Sequence, residues 1–451
     1  MKLLPSSALK GLLAAGMLTA LFSAPVLAQT RCGEEESGSA KVAREAAALE
    51  LSSEDPRAQL QRLVDMALKR SPALGVSKLL AQAARDDWEE TKAARLPQIS
   101  LNAMTVGIGA KQDGITTTKG LQGRVGVSLS APLFDFGRQQ QLTAWRSQLA
   151  DAARLGLIST EQQLALQTVS LAMERSRYQL QIQVYQQYVR KMSCIVEALE
   201  TIVRADRGRS SELVQAHKNQ QQAELAVEQT YSALRQAEVR LKRFVGDDLP
   251  PSASYAALLT TVPDLAKMQD DILLAPEVEQ LDAQARAQAS YAESVAAGQK
   301  PQLSWVLSGN LAGGASRTSD YTAGISLNMP LYQAGADAAL SAARRRAEAT
   351  RLQREESVQA RRYRIAELHE AALSSFDRAR RTVEILRNSE RVRATTLQQW
   401  QQLGRRSLFD VMGAEGDYYS TRIAHVNALF DGQQAVAMMW SMGRGVMAPL
   451  R

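Results

Sequence analysis

The side chains that metal binding or acid–base chemistry would use first are three histidines. His217, His369 and His425 all fall in helix-forming sequence, and their spacing is not that of a metal site. No Gly-x-x-x-x-Gly-Lys-Ser/Thr phosphate loop occurs, so any ATP chemistry belongs to a partner protein. We therefore predict no catalytic, cofactor-binding or metal site, and an exported enzyme is kept as an alternative.

The first 28 residues have the pattern of an export signal peptide. Lys2 and Lys10 precede the apolar run 11–22, and residues 26–28 offer a small-residue cleavage site. Cys32 does not directly follow small residues, so we expect no lipid anchor. Beyond residue 28 no uncharged apolar run reaches the ~20 residues of a spanning helix. Any membrane crossing is therefore expected to use strands.

The charge of the chain is modestly positive, with a formal value of +7 at pH 7. Removing residues 1–28 takes away two lysines and leaves +5. The arginine clusters 344–346 and 361–362 lie in segments that also carry glutamates, which is typical of a solvated helix face. We predict no nucleic-acid partner.

One long block of the sequence occurs twice. Pro72 and Pro97 are 25 residues apart, as are Pro276 and Pro301. Residues 131–137 (Ala-Pro-Leu-Phe-Asp-Phe-Gly) then match 329–335 (Met-Pro-Leu-Tyr-Gln-Ala-Gly) at an offset of 198. Such a duplication predicts one pseudo-symmetric body. The predicted divisions are a signal peptide at 1–28, an N-terminal segment at 29–57, a first repeat at 58–246, a linker at 247–274, a second repeat at 275–445 and a tail at 446–451.

Most of the mature sequence favours long helices, because it is rich in Ala, Gln, Leu, Arg and Glu and poor in Gly and Pro. No strong breaker except Gly156 interrupts residues 138–206, a stretch that would extend roughly 100 Å as a helix. Between 178 and 203 the apolar residues step alternately by three and four, a heptad seam of the coiled-coil type. Its members are Ile182, Tyr185, Val189, Met192, Val196, Leu199 and Val203.

Four segments alternate between apolar and polar residues, as the strands of a membrane barrel do. They lie at about 99–110, 120–131, 302–312 and 321–330, and the first of them changes phase near Met104. The polar stretches between them are predicted to be hairpin tips. Two ordinary soluble hairpins are the alternative interpretation.

Four strands are too few to close a barrel in lipid, where an open sheet edge leaves backbone groups unpaired. The barrel is therefore predicted to be shared between chains. Three copies would supply 12 strands and 12 long helical columns.

These motifs, in this order and spacing, make the sequence resemble the TolC family of outer-membrane channel-tunnels, also called outer-membrane factors. The resemblance covers roughly residues 58–445 and is carried by 71–74 (Ser-Pro-Ala-Leu), 97–100 (Pro-Gln-Ile-Ser), 131–137 and 404–411. It implies a mainly α fold with membrane β structure. The implied assembly is a homotrimer with a 12-stranded β-barrel in the outer membrane and a large periplasmic α-barrel.

The resemblance also implies the partners and the place of the working residues. The implied partners are a periplasmic adaptor (membrane fusion protein), an inner-membrane ABC or proton-driven transporter, and outer-membrane lipid. The helix-to-helix turns 206–212 and 404–410 would lie at the periplasmic tip. Gly208 and Gly404 suit a sharp reversal of the chain. Two roles are open for these glycines: plain turn residues, or residues that contact the adaptor.

At the tip, the resemblance places Arg406 where the family has an arginine that ties the inner coil to a neighbouring protomer. Ser211 and Glu212 take the positions of its hydroxyl and carboxylate partners, which a guanidinium can bind together. A solvated surface arginine is the alternative. Asp410 matches the first of two aspartates that ring the closed aperture, but Gly413 stands at the second position.

The function implied is a passive exit duct of a tripartite export system for type I protein secretion. The absence of a lipobox favours this branch over the alternative, a multidrug efflux pump. A periplasmic adaptor and a structural coiled-coil protein are further alternatives. An adaptor would show one helical hairpin flanked by a lipoyl-like β domain, and a coiled-coil protein would not need the alternating strands.

A disulfide between the only two cysteines, Cys32 and Cys194, is one of two open interpretations, because an exported protein meets a compartment that permits one. The chain from Cys32 to Asp65 could span up to ~110 Å if extended, so the two sulfurs can meet. Packing of Cys194 in a helix groove is the alternative.

Overall fold

A computed structural model of the protein describes residues 54–112, 115–315, 317–403 and 406–451. Within these ranges the chain consists of long helices and one four-stranded sheet, so the predicted fold class is confirmed. Two compact units are present. Residues 179–232 and 384–423 form the first, and the second takes in 54–178, 233–383 and 424–451. The predicted signal peptide at 1–28 lies outside the described residues.

Two helices precede the sheet, and each begins at a proline. Helix α1 (Pro56–Arg70) follows Asp55, whose side chain accepts a backbone hydrogen bond. Helix α2 (Pro72–Ala93) follows Ser71, whose hydroxyl accepts a backbone hydrogen bond of 3.3 Å. Proline suits the first helical position because it has no N–H to satisfy. The Ser-Pro-Ala-Leu motif is thus a capped helix start.

The sheet is antiparallel, with its strands in chain order. They are β1 (Gln98–Gln112), β2 (Ile115–Phe134), β3 (Gln302–Gly314) and β4 (Thr318–Asn328). Each strand overlaps one of the four alternating segments. Both hairpins reverse within the stretches predicted to be tips, but the strands run further into those stretches than predicted. β2 also continues through Pro132 to an irregular register just beyond it, although a proline cannot donate to the ladder.

The cross-strand register separates the sheet into an apolar and a polar face. One row across all four strands consists of Ile99, Leu129, Leu307 and Ala323, and the next row on that face contains Leu101, Val127, Gly309 and Tyr321. The intervening row, on the opposite face, consists of Ser100, Ser128, Ser308 and Thr322. Ile99, Leu101 and Tyr321 are 71%, 69% and 89% exposed in the single chain. Met104, an apolar residue, pairs with Arg124 on the polar face. The alternation of β1 therefore changes phase near Met104, as predicted.

Four long helices follow the strands in pairs. They are α3 (Arg138–Ala205), α4 (Ser210–Val245), α7 (Ala336–Leu403) and α8 (Leu408–Ser441). Helix α3 has 68 residues and runs through Gly156 without a break. A Cβ at Gly156 would lie 3.1 Å from the amide end of the Gln280 side chain, so a larger residue there would require that side chain to shift.

The predicted linker at 247–274 is a packed segment of the second unit. It contains the short helix α5 (Leu265–Asp270) and precedes α6 (Pro276–Gly298). Tyr255 is 1% exposed, and its hydroxyl is hydrogen-bonded to the side chain of Gln59. Gln433 donates to the carbonyls of this segment at 3.1 and 2.8 Å. Hydrogen bonds to buried side chains therefore fix a segment that has little regular structure.

Each unit has its own apolar core. In the second unit, α5 and the segment after it pack against α7 and α8. In the first unit, all four long helices contribute to one cluster. The predicted heptad seam supplies part of that cluster, since Met192, Val196 and Leu199 are buried there. Leu408, Val411 and Met412 approach them from α8.

Candidate functional site

The turn between α3 and α4 is built around Asp206. Its side chain accepts a hydrogen bond from Gly208 N at 3.0 Å, and its carbonyl accepts one from Arg209 N at 3.4 Å. Gly208 does not adopt a positive φ, so the predicted reason for a glycine here is wrong. A Cβ at this position would lie 3.1 Å from the Asp206 carboxylate instead. The glycine gives room for the Asp206 side chain, which closes the turn.

The turn between α7 and α8 is described from residue 406 onwards, and Gly404 lies outside the described residues. Ser407 caps the start of α8, since its hydroxyl accepts a hydrogen bond from Phe409 N at 3.1 Å. Leu408, directly after it, is fully buried in the core of the first unit. The start of α8 is therefore anchored by one cap and one apolar side chain.

Arg406 is exposed and contacts its own turn. Its Nε donates to Gln399 Oε1 at 3.1 Å, and its Nη1 lies 3.7 Å from Asp410 Oδ2. Within the described part of the chain it makes no hydrogen bond or ion pair with Ser211 or Glu212. The single chain thus leaves the predicted lock partners apart, and the lock stays a prediction about two chains.

Glu212 lies in the first turn of α4, where a carboxylate is favoured by the helix dipole. Its Oε2 is buried and has no hydrogen-bond partner among the described residues. Burial shields this oxygen from solvent, so its role in the predicted lock stays a prediction. Asp410 occupies the matching first turn of α8, and the Gly413 position is exposed.

Cys194 is disulfide-bonded rather than a free thiol. Cys32, the only other cysteine of the sequence, lies outside the described residues. Their pairing therefore stays a prediction.

A buried charge cluster in the first unit was not predicted from the sequence. Glu415 on α8 is fully buried. Arg393 Nη1, on α7, donates to its Oε2 at 3.3 Å, and Lys191 Nζ, on α3, lies 3.6 Å from its Oε1. Glu415 falls on the same helix stripe as Leu408, Val411 and Tyr419. A carboxylate at a core position of an apolar repeat is the signal that could have found the cluster.

Aromatic rings surround the charges of this cluster. The guanidinium of Arg393 lies 4.3 Å from the ring centre of Tyr418, and Tyr419 packs on Tyr188 with ring centres 5.0 Å apart. Burial, and next the negative charge of Glu415, raises the pKa of Tyr419 to about 12. The same two causes raise the pKa of Tyr188. The phenols therefore stay neutral beside the carboxylate.

Within the described ranges, no group of His, Cys, Asp and Glu side chains could hold a metal ion. None of the helices described there is long and apolar enough to cross a membrane.

Comparison with known proteins identifies relatives of this fold. Residues 63–247 match the Outer membrane efflux protein family. No curated protein sequence matches the chain. The structure is similar to the crystal structure of the outer membrane protein VceC from Vibrio cholerae, with a TM-score of 0.75 and 17% identity over 86% of this chain and 97% of that one.

Two further solved structures are similar to the same extent. The open state of the MtrE outer membrane channel of Neisseria gonorrhoeae gives a TM-score of 0.75 and 18% identity, over 87% of this chain and 90% of that one. CusC, described for its transmembrane channel formation, gives a TM-score of 0.76 and 18% identity, over 85% of this chain and 92% of that one. The resemblance to the TolC family and the TolC-like fold are confirmed.

Proposed function

We propose that the protein is an outer-membrane exit duct of a tripartite export system, working as a homotrimer. One observation carries the proposal. A chain that matches outer membrane efflux proteins has a four-stranded sheet with one continuous apolar face that its own residues leave exposed. A sheet that is apolar towards lipid and polar towards a lumen is what a membrane barrel requires. The family match also supports a channel without enzymatic activity.

In the proposed assembly, three chains contribute four strands each to a 12-stranded barrel in the outer membrane. The long helices form a large periplasmic part, whose tip docks a periplasmic adaptor and an inner-membrane transporter. No strand beyond β1 or β4 completes the sheet within the described chain, so neighbouring copies are needed to close it. Residues 1–28 would direct export and be removed.

Two measurements test the assembly. Detergent-extracted protein should have about three times the chain mass of 49.3 kDa, and it should fractionate with the outer membrane. A soluble periplasmic monomer would contradict the proposal. A lipid-facing substitution, Leu101→Arg, should reduce membrane assembly, because a charge in lipid costs about 2–4 kcal/mol at mid-depth. Leu352→Arg, on an exposed apolar position of α7, is the control for the charge itself.

We propose type I protein secretion as the export branch, with an ABC transporter as partner. Multidrug efflux is the second candidate, and the family match is compatible with both branches. Deletion of the protein distinguishes them. Loss of one large protein from the culture medium, with unchanged drug susceptibility, supports secretion. Raised susceptibility to several unrelated drugs, with an unchanged set of secreted proteins, supports efflux.

A further inference from the structure

Two charged side chains lie on the polar face of the sheet, the face of Ser128 and Thr322. Arg124 on β2 is four residues from Ser128, and Asp320 on β4 is two residues from Thr322. Since residues an even number apart along a strand share a face, both charges lie on this one. Among the side chains of the face that the structure describes, these two alone are charged. The electrostatic potential in front of the polar face therefore depends on them.

Arg124 is positioned by a neutral neighbour on its own strand. Its Nε donates to Gln122 Oε1 at 2.9 Å, and Gln122 is 2% exposed, so the acceptor is held in place. Arg124 itself is exposed. No carboxylate of the described chain forms an ion pair with its guanidinium. The amide thus orients the positive charge without neutralising it.

Asp320 is positioned by an amide on the neighbouring strand β3. Asn310 Nδ2 donates to Asp320 Oδ2 at 2.8 Å. The other end of this amide lies over Gly126 on β2, where a Cβ would collide with Asn310 Oδ1. Glycine at 126 therefore gives Asn310 room to lie between β2 and Asp320. Within the described ranges no cationic side chain pairs with the carboxylate, so the negative charge is retained as well.

The register of the strands keeps the two charges apart. β3 separates β2 from β4, and Ala312, the β3 partner of Arg124, is two residues from Asn310, the β3 partner of Asp320. Two strand spacings and two residues place the Cα atoms of Arg124 and Asp320 roughly 12 Å apart. Each charge therefore acts mainly on solutes near its own strand, since the Debye length is about 8 Å at physiological ionic strength.

We propose that Arg124 and Asp320 are the charge-selective residues of the lumen of the duct, and that they act on small charged solutes. Arg124 raises the local concentration of anions in front of β2, and Asp320 raises that of cations in front of β4. In the proposed trimer the two signs alternate around the barrel, because each chain repeats the order of its strands. The inference rests on the proposed function, since it requires the polar face to line a lumen.

The local charge is measured with cysteine reporters of the full-length chain in isolated outer membranes. Met104→Cys places a thiol on β1 directly opposite Arg124. The readout is the ratio of its reaction rates with a negatively charged and a positively charged methanethiosulfonate reagent, and the chain without a reporter supplies the background. Arg124→Gln should lower this ratio on the order of twofold at physiological ionic strength, and Arg124→Lys should preserve it. Asp320→Asn should raise the same ratio at a Thr322→Cys reporter.

Lys119→Gln is the matched control, because it removes a positive charge from the same strand on the apolar face. It should leave the Met104→Cys ratio unchanged. An Arg124→Gln chain with the original ratio would overturn the inference. If that variant does not assemble, the chain that keeps Arg124 decides. Its ratio should fall towards that of a free thiol in about 1 M salt, where charges are screened within about 3 Å, and a ratio independent of salt would overturn the inference.

A reporter on the other face separates this inference from the proposed function. Ala103→Cys lies on the apolar face, next to Met104 in the chain. In the proposed barrel it faces lipid, so it should react much more slowly than Met104→Cys. Equal reaction of the two would contradict the membrane barrel, and the inference with it. Reaction confined to Met104→Cys, at a ratio that does not depend on Arg124, would contradict the charge selectivity alone.

Discussion

At the scale of single residues, the described chain shows which polar groups are satisfied internally and which are available to a neighbour. Among the described residues, the partners of Arg406 are Gln399 on α7 and Asp410 on α8, and exposed ion pairs contribute little. Glu212, by contrast, has a buried oxygen without a partner among the described residues. The weak contacts of Arg406 could be exchanged for others in an assembly, and the lock between chains stays a prediction.

Arg406→Ser should therefore loosen the closed tip and raise single-channel conductance in planar bilayers. The serine cannot replace the several donors of the guanidinium. Arg207→Ser changes an exposed arginine of the other turn and should leave conductance near the wild-type value. Equal conductance of the Arg406→Ser variant and the wild type would show that Arg406 is only a surface residue.

Tyr419 gives a pH-dependent prediction, because its pKa is raised from 10.0 to about 12 by burial and by Glu415. The folded state holds the phenol proton more tightly than the unfolded chain does. The stabilisation is therefore complete below pH 10 and is lost as the pH rises towards 12, by at most about 1.4 kcal/mol per pH unit. Tyr419→Phe should flatten this part of the unfolding free-energy curve.

The control for Tyr419→Phe is Tyr363→Phe, which removes a hydroxyl from a tyrosine that is 78% exposed. Denaturant unfolding at pH 9, 10, 11 and 12 measures the slope for each variant. Identical slopes for Tyr419→Phe and the wild type would contradict the assignment.

At the scale of helices and strands, close approach of α7 and α8 depends on one small residue. A Cβ at Gly432 on α8 would lie 2.8 to 3.0 Å from the ring of Phe376 on α7, and that ring packs against the core of the second unit. Gly432→Ala should therefore destabilise the protein by about 1–3 kcal/mol, even though alanine is the better helix former.

Gly413→Ala on the same helix is the matched comparison. Nothing lies within 4 Å of its Cβ position, so the substitution should stabilise the protein by up to about 1 kcal/mol. Denaturant unfolding of both variants should give changes of opposite sign. A stabilising Gly432→Ala would show that the Phe376 ring moves aside easily.

Helices and strands were predictable from periodicity, because burial imposes a period on the sequence. The heptad seam through Met192 and Leu199 predicted α3 and part of the core of the first unit. The alternation of apolar and polar residues predicted the four strands. The ends of strands were less predictable, since β2 continues to Phe134 although the alternating segment was predicted to end at about residue 131. The Glu415 cluster could not be derived, because its partners come from helices some 200 residues apart in sequence, and only packing brings them together.

At the scale of the whole molecule, a disulfide between the two cysteines would tie the N-terminal segment to helix α3. Cys194 has no free thiol, and Cys32 is the only other cysteine. Thiol labelling of unfolded, non-reduced protein should therefore find no reactive thiol, whereas reduction should reveal two per chain. Two thiols before reduction would exclude the bond. Cys194→Ser should then leave one reactive thiol, at Cys32.

The order of the sheet has a genetic consequence. β1 and β4 are its edge strands. In the proposed trimer each chain therefore pairs through one edge strand with each of the two other chains, and all three are needed to close the barrel. A mutation that spoils an edge strand would then inactivate wild-type copies that assemble with the mutant, and most mixed trimers would be defective. Edge mutations should therefore behave as dominant in a cell that makes both chains. Mutations that merely prevent a chain from folding should be recessive, because an unfolded chain never enters the assembly.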